Sequence, residues 1–297
     1  MKAVLLGSAI AAGIPAWNDG SPRALRAREG DPLVPPRRGV ALAVSADGKR
    51  YSLLEAPLHL AESLARDARF APSPGTRSVP IDTLVLTCAE LDASAGALAL
   101  ARGLSLRIAS QNDLRDALVE NDASFRALEA SWSGQAFDRP FLLDREGQLE
   151  ARLFPLPGPI PDFLRERAPK AGRARTGVRV TDLATGARLV WAPRITRYDS
   201  ATLAELRAAD LRLVDGTCLG EEEGRLIHPG VPGARDLGHL PIDGRDGSLV
   251  WLSGMAGRSV YVGMAASNPA CDAGSKEWAR IQESGVWIAN DGMELEL

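Results

Sequence analysis

The chain has 297 residues, 45% of them hydrophobic and 25% charged, enough for one large globular domain or two small ones. Its 35 basic and 38 acidic residues leave a net charge of -3, so no basic excess points to nucleic acid, and no basic amphipathic stripe points to a membrane surface. The three cysteines, Cys88, Cys218 and Cys271, are odd in number and far apart. They form no disulfide framework, so a reducing compartment, the cytoplasm, is expected.

Lys2 to Leu6 reads as a first strand running into a glycine-bearing loop. Met1 to Ala16 could also pass for a short signal peptide, but a single lysine and an early glycine make a weak one, and the strand is preferred. Ser21 to Arg28 reads as a short basic turn or helix. Val40 to Ser45 and Arg50 to Glu55 flank Asp47-Gly48, a hairpin signal. His59 to Arg69 has helical spacing. The apolar run Ile81 to Leu86 reads as a buried strand and opens onto Thr87-Cys88-Ala89-Glu90-Leu91-Asp92-Ala93. A helix is expected over Ala95 to Ala101, then a strand over Leu104 to Ala109. Asn112 or Asp113 caps a helix whose apolar positions run through to Trp132. Strands are expected at Phe137 to Leu143, Leu149 to Phe154, Gly177 to Leu183, Arg188 to Ala192, Leu211 to Val214, Ser259 to Met264 and Val286 to Ala289. Helices are expected at Ala201 to Ala209, Ser248 to Met255 and Lys276 to Ser284. A long polar loop, Gly220 to Gly247, holds His228 and His239. Many early strands with interspersed helices suggest an α/β protein of mixed sheets packed face to face with helices outside, a four-layer αββα arrangement.

A polar cluster at the C-terminal end of a strand is where open α/β sheets place their chemistry. Asp92 is either a metal ligand or the cap of the helix that follows. Asp215, backed by Gly216-Thr217, is either a ligand or a turn residue. His239, between Gly238 and Leu240-Pro241, is a ligand, a general base or a hydrogen-bonded structural histidine. His59 begins a helix, and His228 reads as a surface loop residue. Cys88 is a thiolate or a small buried residue, and no neighbouring basic residue is evident to lower its pKa. No Cys-x-x-Cys pair supports a zinc ribbon, and the glycines after Leu6 form neither a phosphate loop nor a complete Gly-x-Gly-x-x-Gly. A two-metal hydrolytic site built on imidazole needs about four or five histidines. The chain has three, so a conventional dizinc hydrolase is close to excluded.

Several segments together resemble the pyrroloquinoline quinone biosynthesis protein B family (PqqB), a branch of the metallo-β-lactamase superfamily. They are Leu6-Gly7-Ser8-Ala9, Gly13-x-Pro15-x-Trp17-Asn18, Ala41 to Gly48, Phe154 to Gly158, Ala209-Asp210-Leu211-x-Leu213-x-Asp215-Gly216-Thr217, Gly238-His239-Leu240-Pro241-Ile242-x-Gly244, Asn268-Pro269 and Asp291 to Glu294. The order and spacing of the set cover nearly the whole chain. The resemblance implies the αββα metallo-β-lactamase-like sandwich as a single domain over 1–297. It also implies iron-dependent oxygenation of a tyrosine-derived precursor in cofactor biosynthesis.

The departures fall on functional positions. Where the family has a Cys-x-Cys-x-x-Cys run holding a structural zinc, this chain has Asp19, Ser21 and Ala24, so no structural zinc is expected there. Pro57-Leu58-His59 stands where the family reads Ser-Pro-Asp. The superfamily run His-x-His-x-Asp-His reads Cys88-x-Glu90-x-Asp92-Ala93 here. Gly263, Ala265 and Ala266 stand where the family brings a histidine and two asparagines. Asp215 and His239 match.

Two expectations follow. In one, Glu90, Asp92, Asp215 and His239, with His59 or Cys88 as alternates, hold one iron or other divalent metal. Asp92, Asp215 and His239 would then act as catalytic groups in a non-haem hydroxylase, on a small amino-acid-derived or peptide substrate. In the other, the chain binds no metal and serves as a binding or scaffold subunit, as a homodimer or as a heteromer with a PqqB-like homologue.

Overall fold

The computed structural model describes residues 1–100, 106–166, 175–227 and 229–297. Two seven-stranded sheets carry the fold. The first contains β1 (Lys2–Gly7), β2 (Ala41–Ser45), β3 (Tyr51–Leu54), β4 (Ile81–Leu86), β5 (Arg107–Gln111), β6 (Trp132–Gln135) and β14 (Glu294–Glu296), in the order β14-β1-β2-β3-β4-β5-β6. The second contains β7 (Pro140–Leu142), β8 (Leu149–Pro155), β9 (Thr176–Asp182), β10 (Arg188–Ala192), β11 (Leu211–Asp215), β12 (Arg258–Val262) and β13 (Val286–Ile288), in the order β13-β12-β11-β10-β9-β8-β7.

Alternation along the strands sorts side chains between layers. Ala3 and Leu5 of β1 face the other sheet, where they join Leu42, Leu54, Leu153, Val178, Trp191 and Leu213 in the central core. Val4 and Leu6 point the other way, into a layer with Leu60 and Leu64 of α2 (Leu60–Arg66) and with Leu114 and Leu118 of α5 (Asn112–Asn121). On the far side, Val190, Val214 and Tyr261 pack against Leu206 of α7 (Ser200–Arg207), Leu252 of α9 (Ser248–Leu252) and Ile281 of α10 (Lys276–Glu283). This is the αββα sandwich expected from the pattern. The Asp47-Gly48 turn joins antiparallel β2 and β3 as expected, with Gly48 at φ +82°.

β3, β4, β5 and β6 run parallel, and so do β10, β11, β12 and β13. The C-terminal ends of these two sets meet at one edge of the sandwich, because Arg194, just past β10, lies 3.5 Å from Glu55, just past β3.

Several local expectations are corrected. The side chain of Gln111 caps α5, not Asn112 or Asp113, by accepting from the Leu114 N–H. That helix stops at Asn121 and does not reach Trp132. Asp122 turns extended and caps a separate turn, α6 (Ala123–Arg126), and Trp132 opens β6. The helical segment after Cys88 begins earlier than expected, as α3 (Leu91–Ser94) and α4 (Gly96–Leu100). The loop from Gly220 contains a short helix, α8 (Glu223–Ile227). Strand β14 carried no usable apolar signal, since two of its three residues are glutamate.

Candidate functional site

The meeting strand ends enclose a cavity of about 290 Å³ lined in part by Asp92, Arg194, Thr217, Cys218, His239 and Ala265. Each polar group arrives for a local reason. Asp215 is the last residue of β11 and is fully buried. Its Oδ1 accepts from the Thr217 N–H at 3.0 Å, which forms the tight turn through Gly216, and its Oδ2 accepts from the Ile195 N–H at 3.3 Å. His239 Nδ1 lies 2.8 Å from the same Oδ2. A carboxylate only accepts, so Nδ1 carries the hydrogen and Nε2 is the nitrogen left to face a ligand. Gly238, at φ +96°, lets the preceding backbone turn tightly into His239.

Two arginines set the electrostatics. Arg175 is buried, donates from Nη1 to the Gly238 carbonyl at 2.9 Å and from Nη2 to Glu90 Oε1 at 2.9 Å. It therefore ties the Glu90 turn to the His239 loop. Arg194 is also buried. Its Nη1 is 3.5 Å from Glu55 Oε1, and its Nη2 is 3.9 Å from Asp92 Oδ2. Neither contact is a close hydrogen bond, and Arg194 Nη1 and Thr217 Oγ1 have no hydrogen-bond partner.

Glu55 is fully buried and accepts from the Thr87 hydroxyl. Burial pushes its carboxyl up to about 6, against the pull of Arg194 and Thr87. Its backbone sits at φ +74°, a conformation rare for a residue with a side chain, and such strain collects at functional sites. Burial also pushes the Cys88 thiol up to about 12, although Arg194 and Arg175 oppose the shift. Cys88 is thus a protonated, buried thiol.

The expected site residues divide. Asp215 and His239 are in contact, and Asp92 lines the same cavity as His239. Asp92 does not cap the helix that follows Cys88. It lies in the first turn of α3, while Glu90 takes the cap position without a side-chain cap bond. Glu90 is held by Arg175. His59 is exposed and lines a different cavity, with Arg37, Arg38 and Asp291. His228 lies outside the described residues. Arg175, Arg194, Glu55 and Thr217 were not singled out from the sequence. The available signal was position, since Glu55 and Arg194 each follow an apolar strand.

The donor set does not fit a metal. Among the described residues no three His, Cys, Asp or Glu side chains converge as ligands. Both Asp215 oxygens are committed, Glu90 is paired with a guanidinium, and Asp92 faces another. Gly263 sits at φ +77°, a conformation strained for any side chain, so a ligating side chain does not fit there. In the N-terminal turn Asp19 accepts from the Ser21 N–H and the Ser21 hydroxyl accepts from the Ala24 N–H, so these groups close the turn and cap α1 (Pro22–Arg28).

A β-lactamase superfamily domain model matches residues 53–262. The chain is 30% identical to a coenzyme PQQ synthesis protein B of Methylobacterium radiotolerans and 33% identical to one of Ruegeria pomeroyi, each over the full length of both chains. The chain belongs to the PqqB family. The solved structure of zinc-bound PqqB from Methylobacterium extorquens superposes with a TM-score of 0.92 at 29% identity, covering all of both chains. A diphosphatase of the PhnP family shares the fold at a TM-score of 0.67 and 15% identity, over all of this chain and 97% of that one. Within the PqqB frame, this chain sets His239 against Asp215. It places Arg175 and Arg194 against the acids Glu90, Asp92 and Glu55. No described helix is long and apolar enough to cross a membrane.

Proposed function

We propose that the chain serves pyrroloquinoline quinone-type cofactor biosynthesis as a metal-free PqqB-family protein that binds a small amino-acid-derived or peptide ligand. The pathway follows from its curated relatives, which are coenzyme PQQ synthesis proteins. The chemistry rests on one observation: a buried guanidinium, Arg194, stands between Glu55 and Asp92 at the mouth of the strand ends. A fixed cation there repels a second cation, and the same side chain lines the cavity beside His239, where it favours a ligand of the opposite charge. Three free cysteines accord with a cytoplasmic setting. A PqqB-like homologue or a second copy of the chain is the partner proposed for a binding subunit, and co-purification with such a homologue is expected.

Metal analysis of protein purified without chelator and reconstituted with Fe(II), Zn(II) or Mn(II) tests the reading. Less than about a tenth of an equivalent is expected after desalting. A full equivalent that is lost in His239→Ala would overturn it and restore an oxygenase-like enzyme with a rearranged site.

The His239–Asp215 pair favours a second reading, metal-independent proton transfer by Nε2 on the bound ligand. Its test is turnover by chelator-treated protein that disappears in His239→Ala.

A further inference from the structure

A second cavity, of about 310 Å³, lies where the loop after β1 meets the segment before β2 and the start of α2. It shares no lining residue with the His239 pocket. The backbone assembles it. Ile14 and Arg37 exchange two N–H to carbonyl bonds, at 2.8 and 2.7 Å. Gly39 lies so close to Pro57 that a methyl on it would come 2.9 Å from the Pro57 Cβ. Arg37 and Arg38 are thereby brought against the chain that leads into His59.

The charges around this cavity do not balance. Arg37, Arg38 and Arg66 line it, against Asp291 and Glu62. Arg37 is only 5% exposed, and Nη1 donates to the Ala289 carbonyl. Among the described residues it makes no ion pair within hydrogen-bonding reach. An arginine stays charged when buried, and a buried charge without a counter-ion is costly. Asp291 serves Arg38 instead. It accepts from the Arg38 N–H at 2.8 Å and from the Ser8 hydroxyl at 2.7 Å, and Arg38 Nη1 stands 3.9 Å from its Oδ2. One carboxylate thus answers two guanidiniums. Glu62 meets Arg66 across one turn of α2, but both side chains are largely in water, where such a pair is weak. His59 adds an exposed imidazole with no side-chain cap bond to α2.

Forked guanidinium donors match the oxygens of a phosphate or carboxylate, and the positive excess repels a cation. Ala12, Pro15 and Pro36 supply carbon wall beside the charged groups. We propose that this cavity binds the oxyanion group, phosphate or carboxylate, of a small organic ligand. The oxyanion meets Arg38 and Arg66, and the body of the ligand lies on the two prolines. The site is separate from the His239 pocket, and its test does not depend on what that pocket holds.

The probes are phenyl phosphate and benzoate, with benzyl alcohol as the neutral counterpart. Each is titrated into the full chain at pH 7.5 and followed by amide chemical shifts. Saturable shifts centred on Gly13, Arg38 and His59 to Glu62 are expected from at least one anion, and the tighter of the two names the head group. That anion should bind about tenfold tighter than the alcohol and weaken as salt is added. Arg38→Gln and Arg66→Gln should each cost about fivefold or more in affinity, while Glu62→Gln should tighten binding by releasing Arg66. Circular dichroism and the melting temperature establish that the variants are folded. Should Arg38→Gln unfold, the two exposed α2 variants decide. The proposal is overturned if neither anion saturates by about 10 mM, if the shifts centre elsewhere, if the alcohol binds as well, or if folded Arg66→Gln keeps full affinity.

Discussion

Asp215 holds three separate pieces of the site from one buried position. It accepts from the backbone at Ile195 and Thr217 and from the ring of His239, so it fixes the segments after β10 and β11 and orients the imidazole. Asp215→Ala leaves buried donors unsatisfied and should cost about 2–4 kcal/mol by urea denaturation. A loss under about 1 kcal/mol would mean that these bonds do not hold the loops. Glu55 makes a prediction of the opposite kind. Its folded pKa is raised from 4.5 to about 6, so the native state holds the proton more tightly than the unfolded chain does. The stability it contributes is fully present below pH 4.5 and is lost as pH rises through 6, an effect on the order of 2 kcal/mol. The stability difference between the natural chain and Glu55→Gln, measured by denaturant midpoint from pH 4 to 7.5, should therefore fall across that window and be flat above it. A flat difference throughout would remove the buried-acid account. Asp215 and His239 were legible in the sequence because each sits beside glycine at the end of an apolar run or before a proline. Arg194 and Glu55 were not, because their meaning is their contact. No local pattern pairs positions 139 apart in the chain (194 minus 55).

At the scale of elements, the turn after Cys88 is seated by a glycine. The Gly96 N–H donates to the Ala56 carbonyl at 2.8 Å, and the backbone of α4 lies directly on Ala56-Pro57. A methyl at Gly96 would come 2.7 Å from the Ala56 carbonyl oxygen and closer still to that of Pro57, and backbone atoms cannot swing aside. Gly96→Ala should thus destabilise by about 2–3 kcal/mol despite the better helix propensity of alanine. It should also loosen Glu55 and Asp92 together, read as broadened amide signals at both. An unchanged or higher melting temperature would show that the contact is slack. The elements themselves were legible wherever burial imposes a period. The interior strands β1, β4, β10 and β11 are largely apolar runs, β8 alternates buried and half-buried residues, and the helices capped at Ser21 and Asp199 announce themselves. Edge pieces were harder. β6 and β14 lie at the rims of the first sheet, half of their surroundings is solvent, and short polar sequences suffice there.

For the whole molecule, side chains and backbone join the two sheets at the end where the parallel strands stop. Arg194 reaches from the second sheet to Glu55 of the first, Arg175 reaches to Glu90, and the Thr176 N–H donates to the Thr87 carbonyl at 2.9 Å. Buried pairs of this sort add little net stability over an apolar contact, but removing one partner strands the other, at a cost of about 3–5 kcal/mol. Two outcomes follow. Arg194→Met should lower the melting temperature, and Arg194→Met with Glu55→Gln should recover part of the loss, because the stranded acid is gone. The natural chain should melt within about 1 °C in EDTA, in zinc chloride and in neither. A metal held at a thousandfold its dissociation constant would add about 4 kcal/mol. At roughly 2 °C per kcal/mol for a chain of this size, that shift of about 8 °C could not be missed. A melt that depends on zinc, with the dependence lost in His239→Ala, would mean that His239 and its neighbours rearrange around a metal and that Arg194 gives way to it.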